Sequence, residues 1–374
     1  MIYMVINSSL IKKLKQHPVI NAVYQVSQKV NSPIYLVGGA VRDLLMGILP
    51  EKDFDFVTRN KLVRVAHLFS KTVSGNLIQW SLEPPHFRVI FYLNNNRIEV
   101  DFSSFQGDNL YQDLLNRDFT INAMALMTDE LFQEGEIKIY DPLKGEKDLQ
   151  KRILSITSPL SFDKDPLRVL RAIRIAKARN LTIDKKTRVE IYRHKDRLPF
   201  SAAERIRNEF FKILSFSGTR DSLNLLEDLK LLSILLPETE EIKDQQIPNN
   251  LSRWEHSLET VEWCEWALDH LGELFPKFKV DLKAHFSEEI EAGVERQSIL
   301  KLGSLLHEYK NTFQGDRGNI GKEIARRFKL GKRSKRILEN VISHHAQVLR
   351  IFQQEKINNR VYFRFFQDLS LIHI

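Results

Sequence analysis

The chain has 374 residues, 43% hydrophobic and 28% charged, which fits an ordinary globular protein of two or more domains. A formal charge of +8 and a pI near 9.3 favour a polyanionic partner such as nucleic acid. The lone Cys264 excludes a disulfide framework or a thiolate metal cluster. With no apolar run near the ~18 residues of a membrane span and no secretory h-region, the cytosol is the default compartment.

Apolar residues at helical spacing (Leu10, Leu14, Ile20, Val23, Val26, Val30) predict one or two helices over residues 1–30. The stretch Tyr35–Thr58 follows. Tyr35-Leu36-Val37 reads as a short buried strand, Gly38-Gly39 breaks it, Val41 to Met46 can form helical turns, and Asp53-Phe54-Asp55-Phe56 alternates as a second strand. On a strand Asp53 and Asp55 project from one side and the phenylalanines from the other. Two carboxylates so close repel unless a cation sits between them, which makes the pair a candidate Mg²⁺ site with remaining ligands from water and phosphates. The Gly-Gly turn lets backbone N–H groups approach an anion, and Arg42 adds a charged fork for the same anion.

Lys61 to Phe69 reads as an amphipathic helix, and Arg88–Leu93 and Arg97–Phe102 as two strands joined by the polar tip Asn94-Asn95-Asn96. Glu99 and Asp101 share one face of the second strand. If it lies beside the strand of Asp53 and Asp55, Asp101 completes a carboxylate cluster; otherwise it is a surface acid. In Asn116-Arg117-Asp118-Phe119-Thr120-Ile121-Asn122, Arg117 and Asp118 supply a phosphate-pairing cation and an acceptor for a ribose hydroxyl, and Asn122 an amide that meets either. The string equally suits a capped helix start. Beyond Asp141-Pro142-Leu143-Lys144-Gly145 the chain reads as helical almost to its end, which predicts a domain boundary near residues 135–150. A helix opens at Asp163 with Pro166 in its first turn, and Asp165 and Arg168, three apart, share a face with Arg171 and Arg174 following. A carboxylate beside a guanidinium reads the Watson–Crick edge of a base carrying an exocyclic amine, or is simply an ion pair. From Lys164 to Asp221 there are 16 Lys and Arg against 7 Asp and Glu, a track for a nucleic-acid backbone or a set of solvated helix faces. A second basic run, Gly321 to Arg336, has eight Lys and Arg and one Glu.

Together these motifs, over residues 33–210 and in one order, resemble the class II nucleotidyltransferases of the polymerase-beta superfamily, the group of bacterial tRNA CCA-adding enzymes and poly(A) polymerases. The first motif matches at Leu36, Val37, Gly38, Gly39, Val41, Arg42, Asp43, Asp53 and Asp55; the second at Arg117, Asp118, Phe119, Thr120 and Asn122. Asp165 and Arg168 match the amino-acid template that selects CTP and ATP, and Ser201–Ile206 the last neck motif, where Glu204 and Arg205 orient helices rather than touch substrate. The chain departs from the pattern at Asn116, usually arginine, and at Lys164, usually an acid.

The resemblance implies an α+β architecture: a small mixed-sheet catalytic head (residues 1–135), a helical neck for base selection and RNA binding (136–222), and a helical body and tail that binds tRNA (223–374). It implies Mg²⁺ held by Asp53, Asp55 and Asp101, with nucleotide contacts from Gly38, Gly39, Arg42, Asp43, Arg117, Asp118, Asn122, Asp165, Arg168, Arg171 and Arg174. The implied reaction adds C or A from CTP or ATP to the tRNA 3′ end. The short span between Phe105 and Arg117 favours CC addition, with a second nucleotidyltransferase then completing the CCA end. Poly(A) polymerase, a non-catalytic RNA-binding protein and a phosphohydrolase are the alternatives. His256, His307-Glu308 and His344-His345 faintly resemble His-Asp phosphohydrolase helices, but Glu308 stands where that chemistry has Asp, so core or surface histidines are the better reading.

Overall fold

The computed structural model describes residues 7–134, 137–243, 252–309 and 318–352. It divides into two compact units, one of residues 1–164 and 180–188, the other of 165–179 and 189–374.

In the first unit, α1 (Ser8–Gln16) and α2 (Pro18–Val30) precede β1 (Ile34–Val37), α3 (Gly39–Leu45) and β2 (Asp53–Thr58). Then come α4 (Leu62–Val73), β3 (Asn76–Leu82), β4 (Pro85–Leu93), β5 (Asn96–Ser104), α5 (Leu110–Leu115), β6 (Ala125–Met127) and β7 (Ile139–Tyr140). The seven strands form one sheet in the order β3-β4-β5-β2-β1-β6-β7, with β2 and β5 parallel and the other pairs antiparallel.

Alternation along the strands gives the sheet two unlike faces. Phe54, Phe56, Leu36, Val100, Phe102, Val89 and Phe91 point to one side and are buried, with Val65, Ala66 and Phe69 of α4. There Phe56 stacks on Phe102 at 5.5 Å and Phe69 lies 5.0 Å from Phe102 between ring centroids. Burying that side leaves Asp53, Asp55, Glu99, Asp101 and Arg88 together on the other. The β4–β5 hairpin turns through two residues, Asn94 (φ 51°) and Asn95 (φ 64°), with Leu93 opposite Asn96. Left-handed backbone at both positions matches the strands' twist, and asparagine tolerates it. Asn95→Ala is therefore expected to cost ~1 kcal/mol of stability, read as a lower denaturation midpoint with an unchanged slope.

The rest of the first unit is α6 (Gly145–Gln150), β8 (Ile153–Leu154), α7 (Ser161–Lys164) and β9 (Thr182–Ile183), the last parallel to β8. In the second unit α8 (Arg168–Arg179) packs on helix Ala203–Ser215, and helices Arg253–Asp269, Arg296–Leu306 and Lys332–Phe352 make its body. Phe210, Phe211 and Phe328 form an aromatic cluster in its core. Lys301 is buried there, donating to Phe216 O, Thr219 Oγ1 and Glu265 Oε1 at 3.0, 3.0 and 3.4 Å, so its charge is satisfied.

One expected helix is two. Asp163 lies in the short α7, and α8 begins only at Arg168, because Pro166 disfavours helical backbone at Asp165 and carries no N–H to continue the turn. Asp165 stands just before α8, its carboxylate accepting from Leu167 N at 3.2 Å and its carbonyl from Arg168 N at 3.0 Å. Among the described residues, no helix is long and apolar enough to cross a membrane.

Candidate active site

Asp53 and Asp55 are exposed while Phe54, Phe56, Val57 and Thr58 of the same strand are buried, so the two acids stand on the open face. In register, Asp53 lies opposite Glu99 and Asp55 opposite Asp101, which puts four carboxylates on neighbouring positions of two parallel strands. Asp55 also pairs across with Val37, the last residue of β1 before the glycine turn. Gly38 has φ +72°, and a methyl group there would sit 3.3 Å from both Asp55 Oδ2 and Arg117 Nη1. The space a side chain at Gly38 would fill is thus bordered by both an acid and a guanidinium, and the lack of a side chain keeps that space open.

The first and second motifs interlock. Arg42, only 8% exposed, donates from Nη1 to Asn122 Oδ1 at 2.8 Å and from Nε to Asp43 Oδ1 at 2.9 Å. Asn122 Nδ2 donates to Asp118 Oδ1 at 3.0 Å, and the same oxygen accepts from Phe119 N at 2.9 Å. Arg117 is held by Asp113, Nη2 to Oδ2 at 3.1 Å. Arg42 ties α3 to the turn Thr120–Asn122 through Nη1, while its Nη2 would lie 3.3 Å from a methyl group at Gly39, so Arg42 borders Gly39 as Arg117 borders Gly38.

Asp141 caps α6, accepting from Gly145 N and Glu146 N at 2.8 and 3.0 Å, and Thr120 Oγ1 donates to Asp148 Oδ2 at 2.6 Å. The two departures from the family pattern meet each other, Lys164 Nζ donating to Asn116 Oδ1. They border a cavity of about 220 Å³ lined also by Arg117, Thr157, Ser158 and Ser161.

Arg88 is the site residue that sequence reasoning missed. From β4 it donates through Nε and Nη2 to both oxygens of Asp101, each at 2.7 Å, and its Nη1 lies 2.7 Å from Glu99 Oε2. Burial works against the Asp101 charge, but hydrogen bonds from Arg88 and His86 outweigh it and hold the carboxyl below the ordinary range. The hydrogen bond to Asp101 in turn raises Arg88, with Glu99 and Asp55 adding to the field. A signal existed: counting back along the strands from a two-residue turn puts Arg88 opposite Asp101.

In the second unit, Asp165 Oδ2 is 2.7 Å from Arg205 Nη2 and Oδ1 is 3.4 Å from Nη1, so the guanidinium of the last neck motif orients the carboxylate. Glu204 pairs with Lys329 at 2.9 Å. Arg168 opens α8, half-buried, with Arg171 and Arg174 following on the helix; Arg174 Nε pairs with Glu209 Oε2. Other cations of this unit are paired internally, Arg207 to Glu291 and Arg220 to Glu255 and Glu262, which tempers the expected basic track. His307, its pKa lowered by burial, lies with Nε2 3.3 Å from His256 Nε2 and 3.7 Å from Glu308 Oε1. Its Nδ1–H donates to Ser304 O at 2.7 Å, leaving Nε2 to accept from His256, which makes a hydrogen-bonded pair in the helical body.

Residues 34–155 match the poly(A) polymerase head domain, and residues 180–243 match the probable RNA- and SrmB-binding site of polymerase A. The chain is 36% identical over 180 residues to the CC-adding tRNA nucleotidyltransferase of Synechocystis sp., covering 48% of this chain and 41% of that protein. It is 33% identical over 233 residues to the A-adding tRNA nucleotidyltransferase of Deinococcus radiodurans, covering 60% and 50%. The chain thus spans about half the length of the curated relatives it matches. Among solved structures, a tRNA nucleotidyltransferase complexed with a primer tRNA and an incoming ATP analog is similar with a TM-score of 0.68 at 20% identity, covering 93% of this chain and 91% of that one. The Thermotoga maritima CCA-adding enzyme complexed with tRNA superposes with a TM-score of 0.67 at 21% identity, covering 97% and 84%. These two establish the α+β fold.

Proposed function

The chain belongs to the family of tRNA nucleotidyltransferases and poly(A) polymerases, and on that premise we propose that it adds C or A nucleotides from CTP or ATP to the 3′ end of tRNA in the cytosol. The carrying observation is the Gly38 turn, where the space left free of a side chain is bordered by both Asp55 and Arg117. Nucleotidyl transfer needs that combination, acids for a divalent cation next to donors for a triphosphate.

In this reading the tRNA 3′-hydroxyl oxygen forms a bond to the α-phosphorus of the nucleotide, the bond to the β-phosphate oxygen breaks, and pyrophosphate leaves. Asp53 and Asp55 fit a divalent ion, since both are exposed carboxylates on one strand face, and Mg²⁺ is the ion such oxygen ligands with phosphate suit. When bound, the ion lowers the pKa of the attacking hydroxyl and stabilises the charge of the departing pyrophosphate. Asp101 stands next in register as the third acid of the set. Gly38 and Gly39 admit the triphosphate to the backbone, with Arg42 and Arg117 as its cations. Arg42, with Asp43, Asn122 and Asp118, holds that turn against the ribose-binding motif. Asp165 and Arg168 select the base, with Arg171 and Arg174 extending the positive face of α8. The division of labour is a head over residues 1–135, a neck over 136–222 and a tRNA-binding body over 223–374.

Arg205 then sets the direction in which Asp165 accepts from the base. Arg205→Met is expected to raise KM for CTP and ATP by ~10-fold and to narrow discrimination against UTP and GTP, with kcat changed less; steady-state incorporation of the four nucleotides checks it.

The test of the whole reading is incorporation of labelled CTP and ATP, separately, into transcripts of one tRNA ending at the discriminator base, after C and after CC. The short connection Phe105–Asn109 between β5 and α5 supports CC addition, with a second enzyme finishing the end. CTP joining the first two transcripts and ATP never joining the third is the expected outcome. ATP joining the third makes the enzyme CCA-adding if CTP also joins the others, and A-adding if it does not. No incorporation into any transcript overturns the tRNA reading.

A further inference from the structure

Asn116 and Lys164, the two departures from the family pattern, stand together on the wall of one cavity in the first unit. Its polar lining is Asn116, Arg117, Thr157, Ser158, Ser161 and Lys164, and there is no carboxylate among the lining residues. The wall is fastened at several points. Thr157 donates from N to Asp118 O at 3.2 Å and from Oγ1 to Arg117 O at 2.5 Å, and Ser161 Oγ donates to Asp118 O at 3.3 Å, so the segment leading into α7 is held to the backbone of the second motif. Ser158 Oγ accepts from Leu160 N at 3.2 Å, which leaves its own O–H to donate. Asn116 Nδ2 donates to Gln106 O at 2.6 Å, and that contact turns Oδ1 toward Lys164 Nζ. The two cations are not balanced alike. Arg117 has Asp113 at 3.1 Å, whereas Lys164 donates to a neutral amide.

We propose that this cavity is a phosphate site and that Lys164 is its cation, a substrate-binding residue beyond those already assigned. The inference rests on the nucleotidyl-transfer reading and extends it, since both substrates carry the anion: CTP or ATP in the triphosphate, tRNA in its backbone near the 3′ end. Two features carry it. A volume of about 220 Å³, far above the ~10–15 Å³ that one water needs, admits a polyatomic ion. A lining that offers ammonium, guanidinium and hydroxyl donors and no carboxylate suits oxygens that only accept. Lys164 is exposed and its hydrogen-bond partner is uncharged, so an arriving phosphate has no ion pair to displace there.

The test is steady-state incorporation of CTP into a tRNA transcript by the full chain, with KM measured for each substrate in turn. Lys164→Met removes the charge and keeps the reach, and is expected to raise the KM of the substrate whose phosphate it holds by ~10-fold with kcat within about 3-fold, the signature of uniform binding. A rise for CTP assigns the site to the triphosphate. A rise for tRNA, with the slope of log KM against log salt falling by ~1, assigns it to the RNA backbone. Lys164→Arg keeps the charge and is expected to stay within about 3-fold of the unaltered protein. Both KM values unchanged in Lys164→Met, or an equal loss in Lys164→Arg, overturns the proposal. No incorporation by the unaltered protein sinks the nucleotidyl-transfer reading, and this inference with it. A measurement on the unaltered protein covers variants that fail to fold. Acetylation of Lys164 by acetic anhydride, read by peptide mass spectrometry, is expected to slow by ~5-fold or more when tRNA or inorganic tripolyphosphate is bound. A Lys164 that neither protects is not at a phosphate site, and the proposal falls.

Discussion

Asp55→Asn is expected to lower nucleotide incorporation by ~10³-fold while leaving the fold intact, equivalent to about 4 kcal/mol of lost transition-state stabilisation. The substitution keeps the shape of the side chain and removes its charge. Asp55 is exposed, so burial gives no reason for the protein to unfold, and its backbone partners Val37 and Asp101 keep their ladder. What is lost is the carboxylate nearest Gly38, the point at which a metal-bound phosphate would meet both the turn and Arg117. The measurement is single-turnover incorporation of CTP into a tRNA transcript, with circular dichroism to establish that the variant is folded. A variant that retains more than about a tenth of the rate would show that the developing charge is stabilised elsewhere.

Gly145→Ala is expected to destabilise the first unit by about 2–4 kcal/mol and to lower incorporation with it. A methyl group at Gly145 would stand 2.2 Å from Thr120 O and 2.7 Å from Thr120 C, both backbone atoms that cannot rotate away. Either α6 or the turn Thr120–Asn122 must move, and that turn carries Asn122, the partner of Arg42 and Asp118. Gly47→Ala is the control. Gly47 has φ +80° but nothing within 4 Å of the added carbon, so only the left-handed backbone is penalised, at ~1 kcal/mol. Equal losses for the two variants in urea denaturation would show that the close approach of α6 is not what requires glycine at 145.

Much of the candidate site was legible because its motifs are local. Alternation along Asp53–Phe56 predicts which side chains share a face, and the burial pattern of β2 follows it. β3 went unread, since most of its residues are exposed and lack the apolar alternation that marks a strand, and Trp80 on it went unused. Pro166 reads as a first-turn residue of one helix opening at Asp163, and instead it separates two; the missing N–H won locally.

The sequence by itself determined the chemistry on offer: the acids of β2, the side-chain-free turn at Gly38, and the strand–helix order that puts them at one sheet. It also contained, in the two-residue turn Asn94-Asn95, the register that sets Arg88 opposite Asp101. Tertiary structure alone decided the pairings between residues far apart in the chain: Arg42 with Asn122, Asn116 with Lys164, Asp165 with Arg205, and Thr120 with Gly145. Periodicity reports which face a residue takes, a property of its own strand or helix. Which distant group meets it there depends on how whole elements pack, and a charged side chain takes whichever partner that packing brings within hydrogen-bond reach.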